Sequence, residues 1–137
     1  MKRRINKEII KINDDLANGI QEKYSISDEY VNHKGEICLN GLMWFKNHNY
    51  ISFFEVILPK NYPWKKPKII IGFFDYMTLL KVDVGMLETL GYQKKCMCCS
   101  SLLCKSWAPI MRIEHVLDEV HQNLSIKKKV VELLHCY

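Results

Sequence analysis

The sequence contains no long apolar run. Its longest apolar stretch, residues 69–74, contains Gly72 and falls far short of the roughly 20 residues that a membrane-spanning helix requires. The basic start, Met1-Lys2-Arg3-Arg4, is not followed by the apolar core of a secretion signal, because polar residues from Asn6 onward interrupt it. We therefore expect neither a membrane-spanning segment nor a secretion signal.

Proline and glycine are also scarce, with 4 and 6 residues in a chain of 137. Hydrophobic residues make up 48% and charged residues 26%, which is typical of a globular protein and excludes collagen-like and disordered compositions. No internal repeat is visible. We predict a single domain over residues 1–137.

The excess of positive charge is small, with 20 basic and 15 acidic residues and a net charge of +5. It is concentrated in three clusters, at residues 2–7, 60–68 and 127–129. Aromatic or base-reading motifs are not interleaved with these charges, so we expect no nucleic-acid partner. The five histidines show no spacing typical of a metal site or a general base.

We expect the six cysteines to be reduced rather than paired in a disulfide framework, because the sequence shows no secretion signal. This predicts a reducing intracellular location, in the cytoplasm or the nucleus. Cys38 and Cys136 stand alone and are interpreted as buried, inert thiols.

The other four cysteines, Cys96, Cys98, Cys99 and Cys104, lie close together. Cys96 and Cys99 have the spacing of half a zinc knuckle, and Cys104 could supply a third ligand. Adjacent Cys98 and Cys99 do not easily face one tetrahedral ion, and a second separated pair is absent. We therefore expect no metal and no cofactor, and a zinc-binding interaction module remains an alternative.

Hydrophobic periodicity predicts an α+β fold. Apolar residues at helical spacing predict an N-terminal helix over residues 5–16, which Asn18-Gly19 ends. Residues 20–74 are rich in β-branched and aromatic residues and predict an antiparallel meander of three or four strands. Residues 77–95 are predicted to be irregular with a short helical turn. A helix over residues 113–124 packs on the sheet, and residues 127–134 form a last helix or cap.

Three motifs occur in an informative order. The first is Arg4-Ile5-Asn6-Lys7-Glu8-Ile9, and the second is Tyr62-Pro63-Trp64-Lys65-Lys66-Pro67-Lys68, which follows a strand that ends in Leu58-Pro59. The third is Trp107-Ala108-Pro109-Ile110, which leads into the predicted C-terminal helix. Together they resemble the ubiquitin-conjugating enzyme family, whose members carry a basic opening helix, a Tyr-Pro-aromatic turn and a Trp-Ser-Pro-Ala segment.

The resemblance implies a catalytic cysteine eight residues before the tryptophan, which is Cys99. Such an enzyme accepts the C-terminus of ubiquitin or a ubiquitin-like protein as a thioester and transfers it to lysine amines. It also implies partner-binding residues. Arg3, Arg4 and Lys7 correspond to the helix face that meets the activating enzyme, and Trp64, Ala108 and Pro109 correspond to the two loops that a ubiquitin ligase grips. A core position under the turn is the alternative for Trp64.

The sequence departs from the family at the His-Pro-Asn tripeptide, which is absent. In the family its Asn supports the loop and the oxyanion formed during transfer. Its replacement stays open between the hydroxyls and backbone N–H groups of Cys99-Ser100-Ser101 and the side chains of Tyr92, Lys94 and Lys95. The stretch from Pro67 to Cys99 is longer than in the family and the C-terminal tail is shorter, and Cys96 or Cys98 could be the nucleophile instead. A catalytically inactive scaffold that binds the modifier or another partner is therefore the main alternative function.

Overall fold

The computed structural model, which describes residues 2–46, 49–80 and 101–135, contains an antiparallel sheet and two long helices that share one hydrophobic core. In chain order the elements are α1 (Lys2–Ala17), β1 (Tyr24–Val31), β2 (Ile37–Phe45), β3 (Tyr50–Leu58), β4 (Lys68–Ile71), β5 (Phe74–Asp75), α2 (Tyr76–Leu79) and α3 (Ile113–His135). The strands form one sheet in sequential order, and each is antiparallel to the next. The predicted α+β class and the order of helix, meander and helix are confirmed.

Helix α1 buries the apolar stripe that the sequence predicts. Ile5 and Ile12 are almost completely buried in the core. The helix ends before Gly19, which adopts a left-handed conformation with φ of 73°, and the N–H of Ile20 then bonds back to the carbonyl of Asp15 at 2.8 Å. Glycine suits this position because a side chain is strained at positive φ.

In the described parts of the chain the sheet has five strands, where the sequence predicts three or four. The additional strand, β5, has only two residues and is joined to β4 by a tight turn at Gly72, whose φ is 61°. Alternate residues of the central strands, such as Leu39, Met43 and Val56, enter the core. At Gly41 the neighbouring strand comes so close that an added Cβ would lie 2.0 Å from the carbonyl oxygen of Ser25.

Helix α3 packs on the core with the face that the sequence predicts. The buried residues of this face are Ile113, Val116, Leu117, Val120 and Leu124. The prediction of a separate element at residues 127–134 is wrong, because α3 continues without a break to His135. The chain has no proline or glycine within that range to interrupt the helix. No helix in the described parts of the chain is long and apolar enough to cross a membrane.

Candidate functional site

The proline-rich turn between β3 and β4 buries one aromatic residue and exposes the next. Tyr62 is completely buried, whereas Trp64 is 73% exposed. The Tyr62-Pro63 peptide bond is cis, and the N–H of Trp64 bonds to the carbonyl of Asn61 at 2.8 Å. The interpretation of Trp64 as a core aromatic is therefore wrong, and its indole lies on the surface.

The loop that begins at Trp107 is attached to this turn. The indole Nε1 of Trp107 donates a hydrogen bond to the carbonyl of Pro63 at 2.8 Å, and its ring lies 6.1 Å from that of Tyr62. Lys66 adds a second connection, because its Nζ donates to the carbonyl of Leu103 at 2.6 Å. The second and third motifs are thus in direct contact.

A buried carboxylate on α1 joins the turn and the loop to the first motif. Glu8 accepts hydrogen bonds from the hydroxyl of Tyr62, at 3.1 and 3.0 Å to its two oxygens, and from the backbone N–H of Ile113 at 2.8 Å. Burial raises the pKa of Tyr62 above its ordinary value, and the negative charge of Glu8 raises it further. This phenol therefore stays protonated and acts as a donor.

The side chain of Arg4 makes several contacts within the chain. Its guanidinium donates to the carbonyls of Pro109 at 2.8 Å and Met111 at 2.6 Å, lies 3.4 Å from Glu8, and stands 5.3 Å from the ring centroid of Tyr62. These contacts hold the loop after Trp107 against α1. The positive charge of Arg4 therefore has a structural use in addition to the partner-binding use predicted for it.

The predicted partner-binding residues lie around this junction. Arg3 and Lys7 are on the surface of α1 and line a groove of about 880 Å³ with Ile110 and Arg112. Ile110 is 80% exposed, so the groove offers an apolar contact among charged side chains, which include Glu8 and Glu114. Ala108 and Pro109 are half-buried in the adjoining loop. We call the surface formed by Arg3, Lys7, Trp64 and residues 108–112 the loop surface.

The candidate nucleophiles Cys96, Cys98 and Cys99 lie outside the described residues, so their positions stay predictions. The chain is described again from Ser101, two residues after Cys99. The N–H of Leu102 donates to one oxygen of Glu119 at 2.6 Å, and the hydroxyl of Ser101 donates to the other at 2.8 Å. The chain that follows Cys99 is thereby attached to α3.

Ser101 does not offer a free hydroxyl to an oxyanion. Its side chain is completely buried, its proton is donated to Glu119, and its oxygen accepts the N–H of Leu103 at 3.1 Å. One hydroxyl has a single proton to donate. Of the replacements considered for the missing Asn, the hydroxyl of Ser101 is therefore ruled out as a free donor, and Ser100, Tyr92, Lys94 and Lys95 lie outside the described residues.

The zinc alternative gains no support from the described residues. Cys104 is half-buried and carries a free thiol, and Cys38 is completely buried, as the sequence predicts. No group of three potential metal ligands occurs within the described ranges. Of the cysteine cluster, only Cys104 falls within those ranges.

Sequence reasoning missed the two carboxylates that hold this end of the molecule together. Glu8 lies three residues after Ile5 and four before Ile12, so it falls on the apolar stripe of α1. Glu119 lies three residues after Val116 on α3. A carboxylate on a buried helix face requires hydrogen-bond donors from another segment, and this was the available signal.

The comparisons with known proteins identify no relative. No protein-family model, no curated protein and no solved structure matches the chain. The function proposed below is supported by the motifs and by the contacts among them.

Proposed function

We propose that the chain is a ubiquitin-conjugating-type carrier, in which Cys99 accepts the C-terminus of ubiquitin or a ubiquitin-like protein and passes it to a lysine amine. The observation that carries the proposal is the contact of all three family-like motifs at one end of the molecule. Trp107 bonds to Pro63, Tyr62 bonds to Glu8, and Arg4 bonds to Pro109. Motifs from three distant parts of the sequence thus support a single surface.

The reaction consists of two acyl transfers. The thiolate of Cys99 attacks the carbonyl carbon of a modifier thioester held by the activating enzyme. The new S–C bond forms, the old S–C bond breaks, and the sulfur of the activating enzyme leaves as a thiolate. The amine of a substrate lysine then attacks the same carbon, the N–C bond forms, and the Cys99 sulfur leaves and takes up the proton that the amine loses.

The surroundings of the cluster suit such a carrier. Ser101 and Leu102 are fixed to α3 through Glu119, and Lys66 ties Leu103 to the proline-rich turn. Cys99 precedes the anchored residue Ser101 by two positions in the sequence. Such a neighbour favours a productive orientation of the thiol toward the thioester. The loop surface, with exposed Trp64, supplies an aromatic anchor for a protein partner.

The test is a charging assay with purified full-length chain, ubiquitin, activating enzyme and ATP, resolved on a non-reducing gel. We expect a ubiquitin adduct that a thiol reductant removes. Cys99→Ser abolishes the reducible adduct, whereas Cys104→Ser, the matched control, retains it. A reducible adduct that persists in Cys99→Ser contradicts the assignment of the nucleophile, and the same experiment with Cys96→Ser and Cys98→Ser identifies the residue responsible.

The second candidate is a scaffold that binds the modifier or another partner without forming a thioester. The absent His-Pro-Asn and the exposed Trp64 favour it. In that case no adduct forms, but ubiquitin binds saturably in a titration followed by NMR. Trp64→Ala weakens binding if the loop surface is the contact. If ubiquitin neither forms an adduct nor binds, both the carrier and the scaffold functions are contradicted for ubiquitin as the modifier. The assays are then repeated with ubiquitin-like proteins.

A further inference from the structure

Large apolar side chains are exposed at the end of the sheet where β3 begins. They come from two segments, the first residues of β3 and the turn between β4 and β5, and they are Tyr50, Ile51, Phe53, Phe73 and Phe74. Phe73 is 98% exposed, and Phe53 and Phe74 are each more than half exposed. We call these five residues the apolar face.

The apolar face surrounds a groove of about 530 Å³. Its two segments are held together, because the N–H of Gly72 donates to the carbonyl of Phe53 at 2.8 Å. The lining of the groove also includes Phe45, Ile71 and Leu124, which belong to the hydrophobic core. The groove therefore leads from the surface to the edge of the core.

The apolar face is large for a chain of 137 residues. An aromatic side chain presents about 150–250 Å², so four partly exposed aromatic residues and one isoleucine leave on the order of 600 Å² of apolar surface in water. The largest apolar patch of a typical monomer is about 300–600 Å². A standard protein–protein interface buries about 800 Å² on each partner. The apolar face thus supplies most of the area that one side of a stable interface needs.

Two lysines at the edge of the groove have contacts within the chain. The Nζ of Lys127 donates to the carbonyl of Leu79 at 2.7 Å, and the Nζ of Lys128 lies 3.4 Å from the ring centroid of Tyr50. No carboxylate occurs among the described residues that line the groove. The groove is therefore suited to an apolar side chain rather than to a strongly charged one.

Phe73 projects from the same face that contains the groove. It follows Gly72, whose φ of 61° turns the chain sharply between β4 and β5. A face with both a projecting ring and a groove is complementary to itself, because a two-fold axis lets each copy insert its ring into the groove of the other. Both the ring and the lining are apolar, so this exchange removes both from water.

We propose that the apolar face joins two copies of the chain in a two-fold dimer, with Phe73 of each copy in the groove of the other. The proposal does not depend on the carrier function. Trp64 lies beyond the opposite end of β3, a strand of 9 residues that spans about 30 Å. A dimer joined at the apolar face therefore does not cover the aromatic anchor of the loop surface.

The test is sedimentation velocity of the purified full-length chain at about 1 to 200 µM, in a thiol reductant that prevents disulfide links between copies. We expect a reversible equilibrium between monomer and dimer, with a Kd below about 100 µM. Phe73→Glu should raise the Kd about 30-fold or more, which is the effect of removing a central aromatic anchor. Phe53→Glu, on the other segment of the face, should act in the same direction.

Trp64→Glu is the matched control, because it places the same charge on an exposed aromatic residue outside the apolar face. It should change the Kd by less than about twofold. All three variants should keep the native far-UV circular dichroism spectrum, since each replaces a residue that is mostly exposed. A loss of dimer with a native spectrum is then a property of the surface.

A second measurement locates the interface. The photoreactive residue p-benzoylphenylalanine replaces Phe73, the chain is irradiated, and the crosslinked dimer is isolated on a gel and digested for mass spectrometry. We expect crosslinks between copies to residues 50–54 or 124–128, which line the groove. Crosslinks confined to other parts of the chain contradict the proposed exchange.

The sedimentation data can overturn the proposal in three ways. The native chain is monomeric at about 200 µM, or its dimer persists unchanged in Phe73→Glu and Phe53→Glu, or species larger than a dimer accumulate, which shows that the contact does not close about a two-fold axis. A monomer that cosediments with vesicles of phosphatidylcholine and phosphatidylserine, and no longer does so in Phe73→Glu, would assign the face to a lipid surface instead.

Discussion

Replacement of Glu8 by alanine should destabilise the fold far more than an ordinary substitution on a helix. The change removes the acceptor of two buried donors, the hydroxyl of Tyr62 and the N–H of Ile113. A buried donor without a partner costs about 1–3 kcal/mol, so the loss of the acceptor for two such donors costs about 2–6 kcal/mol. Arg4, which is partly exposed, adds little. We expect a loss of about 3–5 kcal/mol, a large part of the roughly 5–15 kcal/mol typical of a domain.

The assay is equilibrium unfolding in urea, followed by tryptophan fluorescence, because Trp107 lies beside Tyr62. With a typical slope of about 2 kcal/mol per molar urea, the midpoint should fall by about 2 M. Glu8→Gln keeps one carbonyl oxygen and should lose less, about 1–2 kcal/mol. Glu22→Ala serves as the control, because Glu22 contacts Lys46 on the exposed surface and its removal should leave the midpoint unchanged.

The reasoning is refuted if Glu8→Ala costs less than about 1 kcal/mol. Helix propensity offers no alternative explanation for a large loss, because alanine is the best helix former. A double-mutant cycle with Tyr62→Phe separates the contribution of the phenol from that of Ile113. We expect a clear coupling energy between Glu8 and Tyr62, and simple additivity would show that the hydroxyl contributes nothing through this contact.

Three further predictions concern the fold. Trp107→Phe removes the hydrogen bond to Pro63 and should cost about 0.5–1.5 kcal/mol by thermal denaturation, whereas an unchanged melting temperature contradicts the bond. Gly41→Ala should cost at least about 2 kcal/mol by the same measurement, because its Cβ would collide with the backbone at Ser25, and a neutral result would show that the strands separate freely. Burial lowers the pKa of His121 from its ordinary value of 6.5, so the unfolded chain binds the proton more readily than the folded chain. The free energy of unfolding should therefore fall as the pH drops below about 6.5. His121→Gln should reduce this pH dependence in urea titrations from pH 5 to 8.

The helices and the central strands were predictable because their side chains obey simple periodicities. Apolar residues recur every three or four positions in α1 and α3, and these residues are buried in the core. Strand β5 escaped prediction because two residues carry no period. The continuity of α3 beyond residue 124 does not follow from the apolar spacing, although no proline or glycine interrupts the helix there.

The motifs name residues for the candidate surface, but they do not give the contacts among them. Trp64, Ala108 and Pro109 were named from motifs, and the structure brings their two loops together through the bond from Trp107 to Pro63. The internal contacts of Arg4 could not be foreseen, since its acceptors are backbone carbonyls more than a hundred residues away, at separations of 105 and 107. Contacts between a side chain and a distant backbone leave no pattern in the sequence.

The start of α3 shows why the carboxylate of Glu8 occupies an apolar stripe. The first N–H groups of a helix have no partner within it, and Ser, Thr, Asp or Asn usually supplies one just before the first turn. Here the preceding residue is Arg112, whose own N–H is bound by Nδ1 of His115 at 3.0 Å. The N–H of Ile113 is bound by Glu8 at 2.8 Å, so α1 caps α3. A negative charge at this end also favours the helix dipole. The same carboxylate therefore satisfies the helix and holds Tyr62, which couples the stability of the core to the position of the proline-rich turn.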